Sequence, residues 1–139
     1  MRITADTNVL LRAILDDDPK QSPLAQAALR DAETVAISLP TLCEVVWTMR
    51  RGYRRTQADI VAALRALVDT PNVDVDRPAV EAGIDFAEAD GDFADGVIAF
   101  EGRRFGATHF ATFDRNAAHI LSEKGFLVLL LNADSNAKQ

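Results

Sequence analysis

Short β-like runs separated by pairs of helically spaced segments constrain this chain more than any other feature. Arg2-Ile3-Thr4-Ala5, Thr34-Val35-Ala36-Ile37, Asn72-Val73-Asp74-Val75, His109-Phe110-Ala111-Thr112 and the apolar run Phe126 to Leu131 read as five strands. Helical spacing fills the intervals, so the predicted order is βααβααβααβαβ. Strands joined through helices return parallel, and right-handed crossovers put helices on both faces of the sheet. The expected fold is therefore α/β, a three-layer α/β/α sandwich around a central five-stranded parallel sheet. A chain of 139 residues has room for one core, which buries roughly two-thirds of the unfolded surface. A single domain over residues 1–133 is expected, with 134–139 as a frayed tail.

Local punctuation supports these elements. Asp16-Asp17-Asp18-Pro19 ends the first helix, and Ser22-Pro23 is expected to start the second, with Ser as N-cap. Pro40 opens a helix that closes at Gly52, read as a left-handed terminator. Thr56-Gln57-Ala58-Asp59 is a capping-box variant, Asp76-Arg77-Pro78 starts another helix, and Asp92-Phe93-Ala94-Asp95 repeats the capping pattern. Gly106 and Gly125 end the last two helices. No repeat of solenoid length, low-complexity tract or interdomain linker interrupts the pattern.

Composition excludes several classes of function. Apolar residues make up 48% of the chain, which rules out disorder and fibrous folds. The single cysteine, Cys43, has no partner for an internal disulfide and no zinc-like spacing, as suits a reducing compartment. An acid at Asp6, where an export signal would turn apolar, and the short longest apolar run point to a cytoplasmic protein without membrane association. Fifteen basic against twenty-one acidic side chains give a net charge of −6, which speaks against a surface that grips nucleic acid all over.

The distribution of charge says more than its sum. No acid lies between Glu44 and Asp59, yet Arg50, Arg51, Arg54 and Arg55 cluster around Tyr53. From Glu81 to Glu101 the acids Glu81, Asp85, Glu88, Asp90, Asp92, Asp95 and Glu101 occur without a single Lys or Arg. Two solvated helix faces of opposite sign would explain the pattern; so would an anionic partner held at one place.

Ligands of open parallel sheets settle beyond the carboxyl ends of the strands. Asp6 follows the first strand directly and Asp114 follows the fourth. Asp92 and Asp95 start the helix that feeds the fourth strand, and Glu44 lies one turn into the helix after the second. Acids from separate segments are thus expected on one rim. Each also has a structural role open to it: Asp6, Asp92 and Asp114 suit N-caps, Asp95 suits a helix dipole, and Glu44 suits a solvated stripe. If the acids do cluster, their mutual repulsion calls for a cation, and an all-oxygen set without His or Cys selects Mg²⁺ or Mn²⁺. Such a site suits hydrolysis of a phosphodiester by an activated water.

These residues resemble the PIN-domain nucleases, in particular VapC-type toxins of toxin–antitoxin pairs. Asp6-Thr7-Asn8 after its strand is similar to the opening motif, Thr41-Leu42-Cys43-Glu44 to the segment with the second acid, Asp92 through Ala99 to the third motif, and Thr112-Phe113-Asp114 to the fourth. The resemblance runs nearly end to end. It implies a metal-dependent endoribonuclease with strand order 3-2-1-4-5. It further implies Asp6, Glu44, Asp95 and Asp114 as catalytic and metal-binding residues and Asp92 as an extra acid, with Asn8 and Thr112 in support. A small antitoxin, a homodimer and larger toxin–antitoxin assemblies are implied as well.

Arg50, Arg51, Tyr53, Arg54 and Arg55 are candidates for gripping RNA, with phosphates on the arginines and a base on Tyr53. A dimer or antitoxin contact is the competing role. Trp47 reads as a packing or dimer residue rather than a base platform, and Cys43 as a small buried hydrophobe. Receiver and haloacid-dehalogenase-like domains also use acids and Mg²⁺ on a parallel sheet. The former wants paired acids after the first strand and a lysine after the last; the latter wants Asp-x-Asp, and position 8 here is Asn. A non-catalytic PIN-like module that binds RNA or protein is the alternative function.

Overall fold

The computed structural model describes residues 1–133; the expected tail at 134–139 lies outside the described residues. The chain runs β1 (Arg2–Thr4), α1 (Thr7–Leu15), α2 (Gln21–Asp31), β2 (Thr34–Ala36), α3 (Leu39–Arg51), α4 (Gln57–Val68), β3 (Val73–Asp74), α5 (Arg77–Glu88), α6 (Phe93–Arg104), β4 (His109–Thr112), α7 (Arg115–Glu123) and β5 (Leu127–Leu130). The α/β class and the order of elements agree with the sequence pattern.

Helix starts follow the caps. Side chains of Asp6, Ser38, Thr56, Asp76, Asp92 and Asp114 each accept a backbone N–H in the first turn of the helix that follows. One expected start is corrected. Ser22 does not cap α2; it is buried, and its hydroxyl accepts the amide of Asp18. Asp18 does the capping instead, accepting the amides of Lys20 at 2.9 Å and Gln21 at 2.7 Å. These two bonds hold its carboxyl below the usual range. The helix therefore starts at Gln21, two residues earlier than the Ser-Pro pair suggests. A second correction concerns Gly52, which is right-handed at φ −81°. The left-handed residue that turns the chain is Arg54, at φ 52°. Gly106 and Gly125 are left-handed as expected.

The sheet is the main departure. β1, β2 and β3 pair in parallel, with Ile3 opposite Val35 and Val35 opposite Val73. β4 and β5 pair in parallel with Phe110 opposite Val128. Strand orders β1-β2-β3 and β4-β5 are thus present, but among the described residues no ladder joins β1 to β4, so one continuous 3-2-1-4-5 sheet is not formed. Burial shows why. Phe110 and Val128 pack inward on α7, whereas Ala111, Leu127 and Leu129 on the opposite face are exposed. A central strand of a three-layer sandwich is apolar and covered on both faces; here β4 and β5 are covered on one.

Two apolar clusters result. The larger joins α1, β2, α3, α4 and α5 through Leu10, Val35, Leu42, Leu64 and Ile84. The smaller joins Phe86, Ala99, Ile120 and Leu121 beneath β4 and β5. The α5–α6 hairpin bridges them, with Phe93 and Val97 in the first cluster and Ala99 in the second. Gly96 permits the close approach: a Cβ there would lie 2.6 Å from the carbonyl oxygen of Ala82 and 2.7 Å from Cβ of Phe86. This packing sets the position of the acidic start of α6. No helix among the described residues is long and apolar enough to cross a membrane.

Candidate active site

The acids fall into two groups. Asp6 ends the β1 connection and accepts the amide of Val9 at 2.9 Å. Next to it, the Thr7 hydroxyl donates to Oε2 of Glu44 at 2.7 Å, tying the start of α1 to α3. Asn8 is exposed in the first turn of α1. The sequence reading missed Thr7 as the link; its place between Asp6 and Asn8 was the available signal.

The second group comprises Asp92, Asp95 and Asp114. Asp92 caps α6 through the amide of Ala94 at 3.1 Å. Asp114 caps α7 through the amides of Asn116 at 2.8 Å and Ala117 at 3.2 Å. The Thr112 hydroxyl accepts the Asp114 amide at 3.0 Å, so Thr112 shapes the turn that presents this acid. Asp95, half-buried in the first turn of α6, has its pKa raised, first by desolvation and then by the charges of Asp92 and Asp114.

These three acids line a cleft of about 290 Å³, and Arg50, Arg51 and Trp47 of α3 line it too. Glu44 opens instead on a neighbouring groove of about 420 Å³ with Cys43, Trp47, Thr48, Asp92 and Ala94. Asp92 and Trp47 belong to both. Convergence of all the acids on one rim is therefore partial: Asp92, Asp95 and Asp114 come together, and Asp6 stands with Glu44 beside them. No three metal-capable side chains among the described residues are arranged closely enough to hold one ion. Carboxylates without a cation between them repel, and Asp6, Asp92 and Asp114 each turn an oxygen to a helix N-terminus instead. The donor chemistry still fits a hard divalent cation. Every candidate ligand is a carboxylate oxygen, and the charge burden on Asp95 is one that a cation relieves.

Arg50 and Arg51 lie in the last turn of α3. The loop beyond carries Tyr53, Arg54 and Arg55, and the Arg55 amide donates to the carbonyl of Met49 at 2.9 Å. Among the described residues none of Arg50, Arg51, Arg54 and Arg55 forms an ion pair, and no cation pairs with Asp92, Asp95 or Asp114. Opposite charges thus share a cleft without neutralising each other. Trp47 is not a core residue: it is 63% exposed. Cys43 is half-buried, and burial followed by the charges of Asp92 and Glu101 pushes its thiol up to about 11, so it stays a neutral packing group.

A family model described as the PIN domain matches residues 3–121. The chain belongs to the PIN-domain family. The match takes in Asp6, Glu44, Asp92, Asp95 and Asp114 alike. No curated protein matches the chain. Among solved structures, this PIN domain is similar to VapC20 of Mycobacterium tuberculosis, described as a toxin that cleaves the sarcin–ricin loop. The two share 20% identity over 93% of this chain and 99% of that one, with a TM-score of 0.43.

Proposed function

We propose that this PIN domain is a metal-dependent endoribonuclease, the toxin of a VapBC-type pair, acting in the cytoplasm as a single nuclease domain over residues 1–133. The observation that carries the reading is the cleft in which Asp92, Asp95 and Asp114 face the unpaired Arg50 and Arg51. Asp6, Glu44, Asp95 and Asp114, with Asp92, are the residues to hold Mg²⁺ or Mn²⁺. When bound, the ion supplies Lewis-acid polarisation of a phosphoryl oxygen and an acidified water. The chain's own residues do the rest. Arg50 and Arg51 hold a backbone phosphate at the cleft edge, with Arg54, Arg55 and Tyr53 extending the contact along the loop. Thr7 orients Glu44, as Thr112 orients Asp114. Asn8 lies beside Asp6 in the same turn and supports it. A small antitoxin that covers the cleft, and a homodimer, complete the proposed assembly.

A second reading has one observation in its favour. Asp6 and Glu44 line neither wall of the cleft that holds Asp92, Asp95 and Asp114, which suits a non-catalytic module binding RNA or protein. Incubation with single-stranded RNA and Mg²⁺ or Mn²⁺ separates the two. The nuclease cleaves, stops in excess EDTA, and is inactive as Asp6→Asn. Cleavage that persists in EDTA overturns the metal-dependent reading, and no cleavage with either ion favours the module. Expression without an antitoxin should arrest growth; harmless expression overturns the toxin role.

A further inference from the structure

The tryptophan at position 47 is the only one in the chain, and its indole is largely in solvent. An exposed indole in the middle of α3 contributes nothing to either apolar cluster, so the core does not account for it. Its position is specific. Glu44 lies three residues before it and Arg51 four residues after, which puts all three on one helical face, over about 10 Å of helix axis. It is also one of two residues, with Asp92, shared by the acidic cleft and the groove beside Glu44.

We infer that Trp47 is the platform on which a base of single-stranded RNA stacks next to the cleaved bond, fixing which phosphodiester enters the acidic cleft. The inference rests on the ribonuclease reading and adds to it the residue that positions the substrate. The electrostatics of the cleft require a contact of this kind. Asp92, Asp95 and Asp114 repel a phosphate, and two arginines at the edge supply attraction without orientation. Stacking on an aromatic face is insensitive to that repulsion, tolerates any base, and is open only to nucleotides freed from a duplex. Among the described residues Arg50 and Arg51 form no ion pair, so phosphates on either side of the stacked base meet unspent charge. A protein partner at the same indole would explain its exposure but not its place between the carboxylates and the free arginines.

Fluorescence excited beyond the tyrosine absorption band, which leaves out Tyr53, reports this position alone, because the chain holds one tryptophan. The test uses the full chain in EDTA, which prevents cleavage, with a dye-labelled oligoadenylate, an RNA duplex of equal length, and anisotropy of the dye as an independent measure of binding. The single strand should quench Trp47 over the concentrations at which anisotropy rises, and the duplex should not. Trp47→Ala should weaken binding by about five- to a hundredfold, and Trp47→Phe should restore most of it, which loss of a packing residue would not reproduce. Binding without quenching, or equal affinity of Trp47→Ala and the unaltered protein, overturns the inference and leaves the indole to a protein contact. Quenching, Ala weakening and Phe rescue without cleavage in Mg²⁺ or Mn²⁺ uphold the platform and overturn the nuclease. Absence of all RNA binding overturns both.

Discussion

Arginines on the flank built by α4, α5 and α6 all have partners. Arg65 reaches Glu88 at 2.9 Å and Glu81 at 3.5 Å. Arg77 joins Asp69 at 2.6 Å and Glu81 at 3.0 Å, and Arg104 pairs with both oxygens of Asp76. In the cleft, Arg50 and Arg51 lie with Asp92, Asp95 and Asp114 and pair with none of them. A single helix connects the two regions, since α6 begins with Asp95 in its first turn and ends with Arg104. The same residue types thus do different work. On the flank, charge is neutralised within the fold and locks helices together. In the cleft it is held apart.

The largest effect expected from this contrast is on activity. Asp95→Asn should lower RNA cleavage by roughly a hundredfold or more, the scale of losing a group that stabilises charge in the transition state. Arg77→Gln, on the flank, should leave the rate unchanged. Initial rates on a labelled single-stranded RNA decide it, and equal losses from the two variants would erase the distinction between the regions.

Gly96→Ala should disturb both regions, because it sits where α5 and α6 touch. Overfilling that contact destabilises by about 1–3 kcal/mol, read as a lower urea midpoint with an unchanged slope. Neither Ala82 nor Phe86 can give way, since one presents a backbone oxygen and the other is buried. A neutral result would mean that α5 and α6 are free to separate, and that the start of α6 is not held against the cleft.

How much of this was legible in the sequence follows from the range of the forces involved. Helix starts at Asp6, Thr56, Asp76, Asp92 and Asp114 were readable because a cap acts within three residues; the start of α3 was read from Pro40, and its cap, Ser38, was not singled out. Ser22 misled because two cap-competent residues, Asp18 and Ser22, compete, and burial of the serine decides between them. Gly52 misled for a similar reason: the turn after α3 places its left-handed residue at Arg54. The split between β1 and β4 was not legible, since runs of three or four residues do not encode which edges meet. Asp92, Asp95 and Asp114 were found from motif order. Their facing Arg50 and Arg51 was not, because it depends on how α3 lies against α6.

Salt dependence tests the unpaired arginines next. Replacing Arg50, Arg51, Arg54 and Arg55 by alanine should weaken RNA binding and flatten its slope against the logarithm of salt concentration by about 0.7 for each lost phosphate contact on a single strand. Removing Arg65 from the flank should not change the slope. Titrations at several salt concentrations measure both, and a parallel line for the fourfold variant would assign those arginines to a protein interface.

The smallest effects lie in stability against pH, where the two regions should have opposite signs. Asp95 has its pKa raised above the ordinary 3.8, by desolvation first and by Asp92 and Asp114 after it. Ionising it therefore costs stability as pH rises through that window. Asp95→Asn should melt higher than the unaltered protein at neutral pH, with the gain vanishing below the ordinary carboxylate range. Mg²⁺ should raise the melting temperature of the unaltered protein more than that of the variant. Asp76 is the reverse case. The hydrogen bond from Arg104 is the main cause of its lowered pKa, so its contribution is present above the ordinary range and lost as pH falls through the lowered value. Asp76→Asn keeps an N-cap for α5, because asparagine accepts the Ala79 amide as well as aspartate does. It removes the charge and one of the two oxygens that accept from Arg104, so a slight destabilisation at neutral pH should fade in acid. Melting curves from pH 3 to 8 would show the two variants departing from the parent in opposite directions, and a shared sign would overturn the opposite roles assigned to Asp95 and Asp76.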